Sequence, residues 1–200
     1  MRGIHAIFTA YGFWLPNDPR GSGSQRVKAQ HIYDAGGDAT RVPTRRSAAR
    51  RPHDHAARLA AKAALVRPTV TLSGVQARAV ARGIAALLTK TDLKIHALAV
   101  LPDHVHCVVH SRRLSPDTIL TALKSAATRG LNAEGLHPLA SYPRRNGRLP
   151  MPWADGGWKV YLFTADDMRR AIGYVEQNPP RAGLPRQQWS CVTPYRESSD

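Results

Sequence analysis

The chain has 200 residues, with 29 Lys or Arg against 14 Asp or Glu and a formal charge of +15. That length suits one domain with a genuine core. So large a positive excess points to a polyanionic partner, nucleic acid before an anionic membrane surface. No apolar run approaches the ~20 residues of a membrane span. The opening Met1-Arg-Gly-Ile-His-Ala-Ile-Phe-Thr9 lacks the apolar stretch and small-residue cleavage site of a secretory signal. Only two cysteines occur, Cys107 and Cys191, so no disulfide framework is expected. The expectation is a cytoplasmic protein with reduced thiols and no membrane partner.

Ile4 to Tyr11 reads as a first strand, rich in β-branched and aromatic residues, ending in the turn-forming run Leu15 to Ser24. From there to about Thr71 the chain is irregular and basic, with Arg45, Arg46, Arg50 and Arg51 close together. A short alanine-rich helix is expected inside it, from about Asp54 to Leu65. Loops this long inside compact domains are usually functional or disordered. The stretch at about 17–72 is read as an insertion that touches nucleic acid, with a solvated loop as the plainer alternative.

Ser73 caps a helix over Gly74 to Thr89, where Val80, Ile84, Leu87 and Leu88 recur at helical spacing. Lys94 to Leu101 and His104 to His110 are strands joined by Pro102-Asp103, and so an antiparallel pair. Ser115-Pro-Asp117 opens a helix running to about Leu131. Leu136 to Gly157 is a loop rich in Pro, Gly and Arg, and Trp158 to Phe163 is a short strand. Thr164-Ala-Asp-Asp167 begins a last helix with a capping-box pattern, which Pro179-Pro180 should stop. The order β–α–β–β–α–β–α predicts a single α+β domain over 1–200. Its frame is a ferredoxin-like split βαβ with a central antiparallel sheet, helices on one face and one additional C-terminal helix.

The most informative motif is His104-Val105-His106. Alternation along a strand puts both imidazoles on one face, with Val105, Cys107 and Val109 on the other. Two neutral imidazoles side by side make a clamp for a divalent metal ion. In the last helix, Tyr174 and Asn178 are four apart and share a face, with Gln177 beside them. Met168, Ala171, Ile172 and Val175 form the apolar stripe that packs on the sheet, with Tyr174 at its edge. If that face overlies the histidine strand, Asn178 can offer an amide oxygen to the same ion, and Tyr174 lies near any phosphate bound there. A phenol is a weak nucleophile at neutral pH, yet a base or a nearby cation activates it. Its attack on a phosphodiester leaves a phosphotyrosine link that a second hydroxyl can reverse, so strands can be cut and rejoined without ATP.

Two segments carry a resemblance: Leu101-Pro-Asp-His-Val-His-Cys107 and Tyr174-Val-Glu-Gln-Asn-Pro-Pro-Arg-Ala-Gly-Leu184. Together with the order of elements between them, they resemble HUH-type single-tyrosine transposases, and the REP-associated tyrosine transposases in particular. The resemblance implies a ferredoxin-like fold, Mg²⁺ or Mn²⁺, and single-stranded DNA substrates with hairpins. It implies Tyr174 as nucleophile, with His104, His106 and a polar side chain of the tyrosine helix as ligands. By position that third ligand is Asn178; some relatives use glutamine, which keeps Gln177 as the lesser candidate. The large basic insertion departs from the shortest family members. Either a monomer or a homodimer exchanging the tyrosine helix is compatible with this reading.

Other features have plainer readings. His110 shares the face of the histidine pair but lies ~13 Å from His106 along the strand, too far for the same ion; it is read as a surface or DNA-contacting residue. Cys107 is read as a small core residue. Trp153, Trp158 and Lys159, with Arg144, Arg145 and Arg148 nearby, interleave aromatic and basic groups as single-stranded DNA binding favours. Trp158 itself is read as core. Lys124 and Arg129 on the middle helix are candidate phosphate contacts. Besides a metal-dependent enzyme that nicks and joins single-stranded DNA, two alternatives stand. One is a domesticated or inactive relative that binds DNA hairpins. The other, a nucleotidyl hydrolase with three alternating histidines, is disfavoured by valine at position 108.

Overall fold

The computed structural model describes residues 1–18, 27–40 and 53–197. Its elements are β1 (Gly3–Thr9), α1 (Gln30–Gly36), α2 (His55–Ala63), α3 (Gly74–Leu88), β2 (Lys94–Val100), β3 (His104–His110), α4 (Pro116–Ala133), β4 (Trp158–Leu162) and α5 (Ala165–Arg181). The strands form one sheet in the order β2-β3-β1-β4, with every neighbouring pair antiparallel. β1, α3 and β2 make a βαβ unit split by β3, and α4 carries the chain from β3 to β4. This is the ferredoxin-like α+β arrangement that the order of elements predicted.

Alternation along the strands divides the core in two. Ile4, Ala6 and Phe8 of β1 and Val105, Cys107 and Val109 of β3 face α3 and α4. On the opposite side, Ala97, Ala99 and Val108 meet Met168, Ala171 and Val175 of α5. The two crossover helices therefore share one face, and the additional helix covers the other. Burial in Cys107's apolar layer pushes its thiol pKa far up, as suits a core residue.

Local chemistry accounts for the helix starts. Ser73 with Gln76, and Thr164 with Asp167, close reciprocal capping boxes on α3 and α5. The Ser115 hydroxyl accepts from Thr118 N–H, ahead of Pro116 in the first turn of α4. Asp54 caps α2 through Ala57 N–H, so the alanine-rich helix forms where expected. α1 has no capping side chain and was not foreseen.

α5 does not stop at Pro179-Pro180; it continues through both to Arg181. Proline's fixed φ is compatible with a helix, although the two rings remove the N–H groups that would reach the carbonyls of Val175 and Glu176. The last carbonyls still find donors. Asn178 accepts from Ala182 N–H, Pro180 from Gly183 N–H, and Pro179 from Leu184 N–H.

After α5 the chain returns along the edge of β2. The Gln187 amide accepts from Val100 N–H at 2.8 Å and donates to Val100 O at 2.7 Å. Trp189 Nε1 donates to Leu98 O, and Thr193 N–H to Ile95 O. These bonds occupy backbone groups that an open sheet edge would leave as a template for aggregation.

α3 and α4 touch through glycines. A Cβ at Gly83 would lie 2.2 Å from Ala126 O, and one at Gly130 would lie 2.2 Å from Ala79 O. Backbone cannot yield as a flexible side chain can, so an added methyl must part the helices. We expect Gly83→Ala and Gly130→Ala each to lower stability by about 1–3 kcal/mol, the usual scale of overpacking. Urea unfolding checks this; a midpoint unchanged or raised in both variants contradicts the close crossing.

Candidate active site and its aromatic border

The β1–β3 register opposes Ile7 to His106 and His5 to Val108. His5 thus joins His104 and His106 on the face covered by α5. The helix runs from the end of the sheet where Met168 packs on Gly3 toward the start of β3. That course carries Tyr174 over the histidines. Its ring centroid lies 5.6 Å from that of His106 and 5.8 Å from that of His5. The His104 and His106 centroids are 4.7 Å apart. The phenol and the paired imidazoles therefore meet within one copy of the chain.

Each imidazole of the pair is held by one nitrogen. His104 Nδ1 donates to Asp103 Oδ1 at 2.6 Å, and His106 Nδ1 is hydrogen-bonded to His5 Nε2 at 2.8 Å. Burial pushes His5 down to about 4, and His106 also falls well below its usual value, first from burial and then from the neighbouring His104 and His5. Both rings are neutral at pH 7, so the contact between them is one N–H donating to one lone pair. With the proton on His106 Nδ1, the lone pair of His106 Nε2 is free, as is that of His104 Nε2 when Asp103 holds the opposite nitrogen. A carboxylate or second acceptor behind a ligating imidazole is the usual means of fixing its tautomer and aim.

This donor set fits a divalent cation: two imidazoles with their Nδ1 atoms engaged. Asn178 lies one turn beyond Tyr174, in the direction of the start of β3. Its side-chain nitrogen is buried and without a hydrogen-bond partner among the described residues. Gln177, on the same turn, is half-buried. Among the described residues no group of three His, Cys, Asp or Glu side chains is placed to hold a metal ion, so a third ligand would have to be an amide or a group brought by the substrate.

His5 was not foreseen. As one histidine within a mostly buried strand it carried no motif, and only the strand register reveals that it backs His106. Trp14 was missed for a similar reason. It lies in the turn after β1, with its ring centroid 6.0 Å from His104 and 6.4 Å from Trp158. Its φ of 54° places a bulky side chain in the left-handed region, a strain of ~1–3 kcal/mol. Trp158 belongs to this aromatic border and is half-buried, where a core position was expected. The buried tryptophan is Trp153, packed edge-on against Phe8 and donating from Nε1 to Thr128 Oγ1.

The expected cations separate into three groups. Arg45, Arg46, Arg50 and Arg51 lie outside the described residues. Arg129, Arg144, Arg145 and Arg148 are exposed. Lys124 and Lys159 have protein partners: Lys124 donates to the carbonyls of Ala154 and Gly156, and Lys159 to Asp117. Burial pushes Lys124 down to about 8, despite a carboxylate at Asp155 acting to raise it. Both lysines tie loop and strand to α4, and neither ammonium is directed at solvent in this arrangement. His110 is likewise engaged, through Nδ1 and the carbonyl of Arg2.

Residues 67–156 match the family model described as transposase, IS200-like. The matched stretch holds α3, β2, the histidine strand β3 and α4. The match ends before β4 and α5, so it does not reach Tyr174. Five chains of solved structures match as well. One is a REP-associated tyrosine transposase bound to a REP hairpin, 19% identical, with a TM-score of 0.42. The alignment covers 56% of this chain and 59% of that one, so the present chain spans under two thirds of its relative's length. No curated protein matches.

Buried neutral histidines make folding sensitive to acid. The folded value of His5, about 4, lies below the ordinary 6.5, so the unfolded chain takes up protons first as pH falls. This contribution is fully present above about pH 6.5 and is lost toward pH 4. We expect the metal-free protein to lose about 1 kcal/mol or more between pH 7 and pH 4.5, with a smaller loss in His5→Asn. A urea midpoint independent of pH over this window contradicts the burial of these rings in neutral form.

Proposed function

We propose that this protein nicks and rejoins single-stranded DNA through a covalent bond to Tyr174, as a transposase of the tyrosine type. The observation that carries the reading is the meeting of a phenol, 46% exposed, with two imidazoles each held through Nδ1 on the floor beneath it. Exposure matters because a nucleic-acid strand must reach the phenolic oxygen, whereas the ligands beneath must stay ordered.

His104 and His106, with Asn178 as third ligand and Gln177 as the lesser candidate, would hold Mg²⁺ or Mn²⁺. When bound, such an ion polarises the scissile phosphodiester and neutralises charge that develops on it. The remaining work belongs to the chain. His5 and Asp103 keep the two imidazoles aimed, and α5 holds the Tyr174 oxygen in line with the phosphorus. Tyr174 Oη forms a bond to phosphorus, its proton passes to solvent, and the bond from phosphorus to the leaving sugar oxygen breaks. That oxygen takes up a proton and becomes a free hydroxyl. The phosphotyrosine ester conserves the bond, so a second strand's hydroxyl can displace Tyr174 in the reverse sense.

The charge of +15 supports a nucleic-acid partner. Hairpin-containing DNA is the substrate proposed, and a monomer suffices because the phenol and imidazoles meet in one copy. Among the described residues no helix is long and apolar enough to cross a membrane. A cytoplasmic location accords with the proposed DNA substrate.

Incubation with labelled single-stranded hairpin DNA and Mn²⁺ should yield a protein–DNA adduct that survives denaturing electrophoresis. Tyr174→Phe should remove it while binding stays nearly unchanged. Equal adduct from wild type and variant contradicts the assignment. Binding should weaken with salt by ~0.7 log units per phosphate neutralised for each tenfold rise in salt. A salt-independent affinity contradicts the electrostatic part.

A further inference from the structure

Next to the histidine pair, and unused by the chemistry above, is a cavity of about 610 Å³. It lies between the turn after β1, the α1 segment of the insertion, and the 154–157 loop. Its volume falls within the ~300–1,000 Å³ of pockets that enclose an organic ligand. Tyr11, Phe13, Trp14 and Trp153 supply aromatic walls, and Trp14 also borders His104. The cavity therefore begins where the proposed phosphate site ends.

Two buried donors on its lining have no hydrogen-bond partner among the described residues: Trp14 Nε1 and Arg67 Nε. Buried donors are rarely left unpaired, so a pair of them around one cavity calls for an acceptor that none of the described residues supplies. The lysines on the lining do not provide that demand, since Lys28 is paired with Asp155 and Lys159 with Asp117.

Arg67 is shared with a second recess of about 580 Å³. Arg145 and Arg148 line this recess too, and no carboxylate does so among the described residues. These two arginines flank the tight turn Asn146-Gly147, whose φ angles are 51° and 72°. Arg145 N–H donates to Arg148 O at 2.9 Å, and Arg148 N–H to Arg145 O at 3.1 Å. The pattern is that of a two-residue hairpin turn, which presents both side chains on a firm support.

We propose that the aromatic cavity receives one unstacked nucleobase of the strand whose phosphate lies at Tyr174, and that the arginine recess beyond it holds the adjoining backbone. Aromatic walls stack on any base face. The two unpaired donors favour a base that offers a ring carbonyl, as thymine, guanine and cytosine do and adenine does not. An apolar small molecule would satisfy the walls but neither the donors nor the basic continuation. The strained Trp14 backbone is consistent with a ring pre-positioned for stacking. This inference rests on the nicking reading above and assigns it a base-recognition pocket.

The test is a scan of single abasic positions through a hairpin oligonucleotide, with dissociation constants measured without divalent ion so that no cleavage intervenes. In the wild type, one abasic position adjacent to the cleaved junction should weaken binding about 5- to 100-fold. Trp14→Gly removes the ring and suits a φ of 54° without strain. It should weaken binding of the intact oligonucleotide by a similar factor and lose the response at that abasic position. Trp14→Phe, which keeps a stacking face but not the N–H, should fall between the two. A flat scan in the wild type, or a sensitive position that persists unchanged in Trp14→Gly, overturns the proposal. The failures are distinguishable: a flat scan beside a Tyr174-dependent adduct removes the base pocket alone. A sensitive position without any adduct removes the nicking chemistry and leaves a base-binding protein.

Discussion

The seat of α5 on the histidine face of the sheet is the constraint on which the rest depends. Met168, Ala171 and Val175 bury against Ala97, Ala99 and Val108. With that stripe down, helix geometry leaves no freedom over where Tyr174 goes: it stands about 100° round from Val175, at the margin of the contact. The margin is where a reactive group is both held and reachable. A phenol inside the stripe would be inaccessible to a strand, and one on the far side would be remote from the imidazoles. The capping box at Thr164 and Asp167 fixes where the helix starts, so an error in phase would shift every one of these positions.

Beneath Tyr174, the chain places polar groups, His5 and His106 buried and Asp103 and His104 partly so, where an apolar core would be simpler. His5 backs His106, and Asp103 backs His104. Such an arrangement sacrifices burial of apolar surface for the orientation of two ring nitrogens. The insertion completes the site in a different way. Its described helices α1 and α2 pack on each other, Gly36 lying against Ala61, and α1 closes one side of the cavity beside Trp14. The face beneath Tyr174 therefore has a ferredoxin-like floor and a border supplied by sequence outside that frame.

Much of this was legible from residues alone. β3 runs from His104 to His110 as alternation and the flanking Pro-Asp and polar residues indicate, and the starts of α3, α4 and α5 follow from Ser73, Ser115 and Thr164. The two periodicities, two for the strand and 3.6 for the helix, show which side chains share a face, while the juxtaposition of Tyr174 with the histidines is an expectation that the resemblance implies. His5 and Trp14 could not be foreseen. Their roles depend on which strands pair and in what register, and on a turn conformation that tryptophan rarely adopts. α1 was invisible because it lacks a cap, and the end of α5 was misplaced because proline's fixed φ lets the helix run on to Arg181 despite two lost donors. Charge was the least specific guide: Lys124 and Lys159 are basic in sequence but committed to carbonyl and carboxylate partners in the fold.

The unity of phenol and imidazoles can be read directly by locating the DNA-linked residue. After reaction with labelled single-stranded hairpin DNA and Mn²⁺, tryptic cleavage after Arg170 and Arg181 would isolate Tyr174 in the peptide Ala171–Arg181, apart from the chain's five other tyrosines. The account predicts the nucleotide remnant on Tyr174 alone, and none when both His104 and His106 are replaced by alanine. A remnant on another tyrosine, or one on Tyr174 undiminished by loss of both imidazoles, would contradict it.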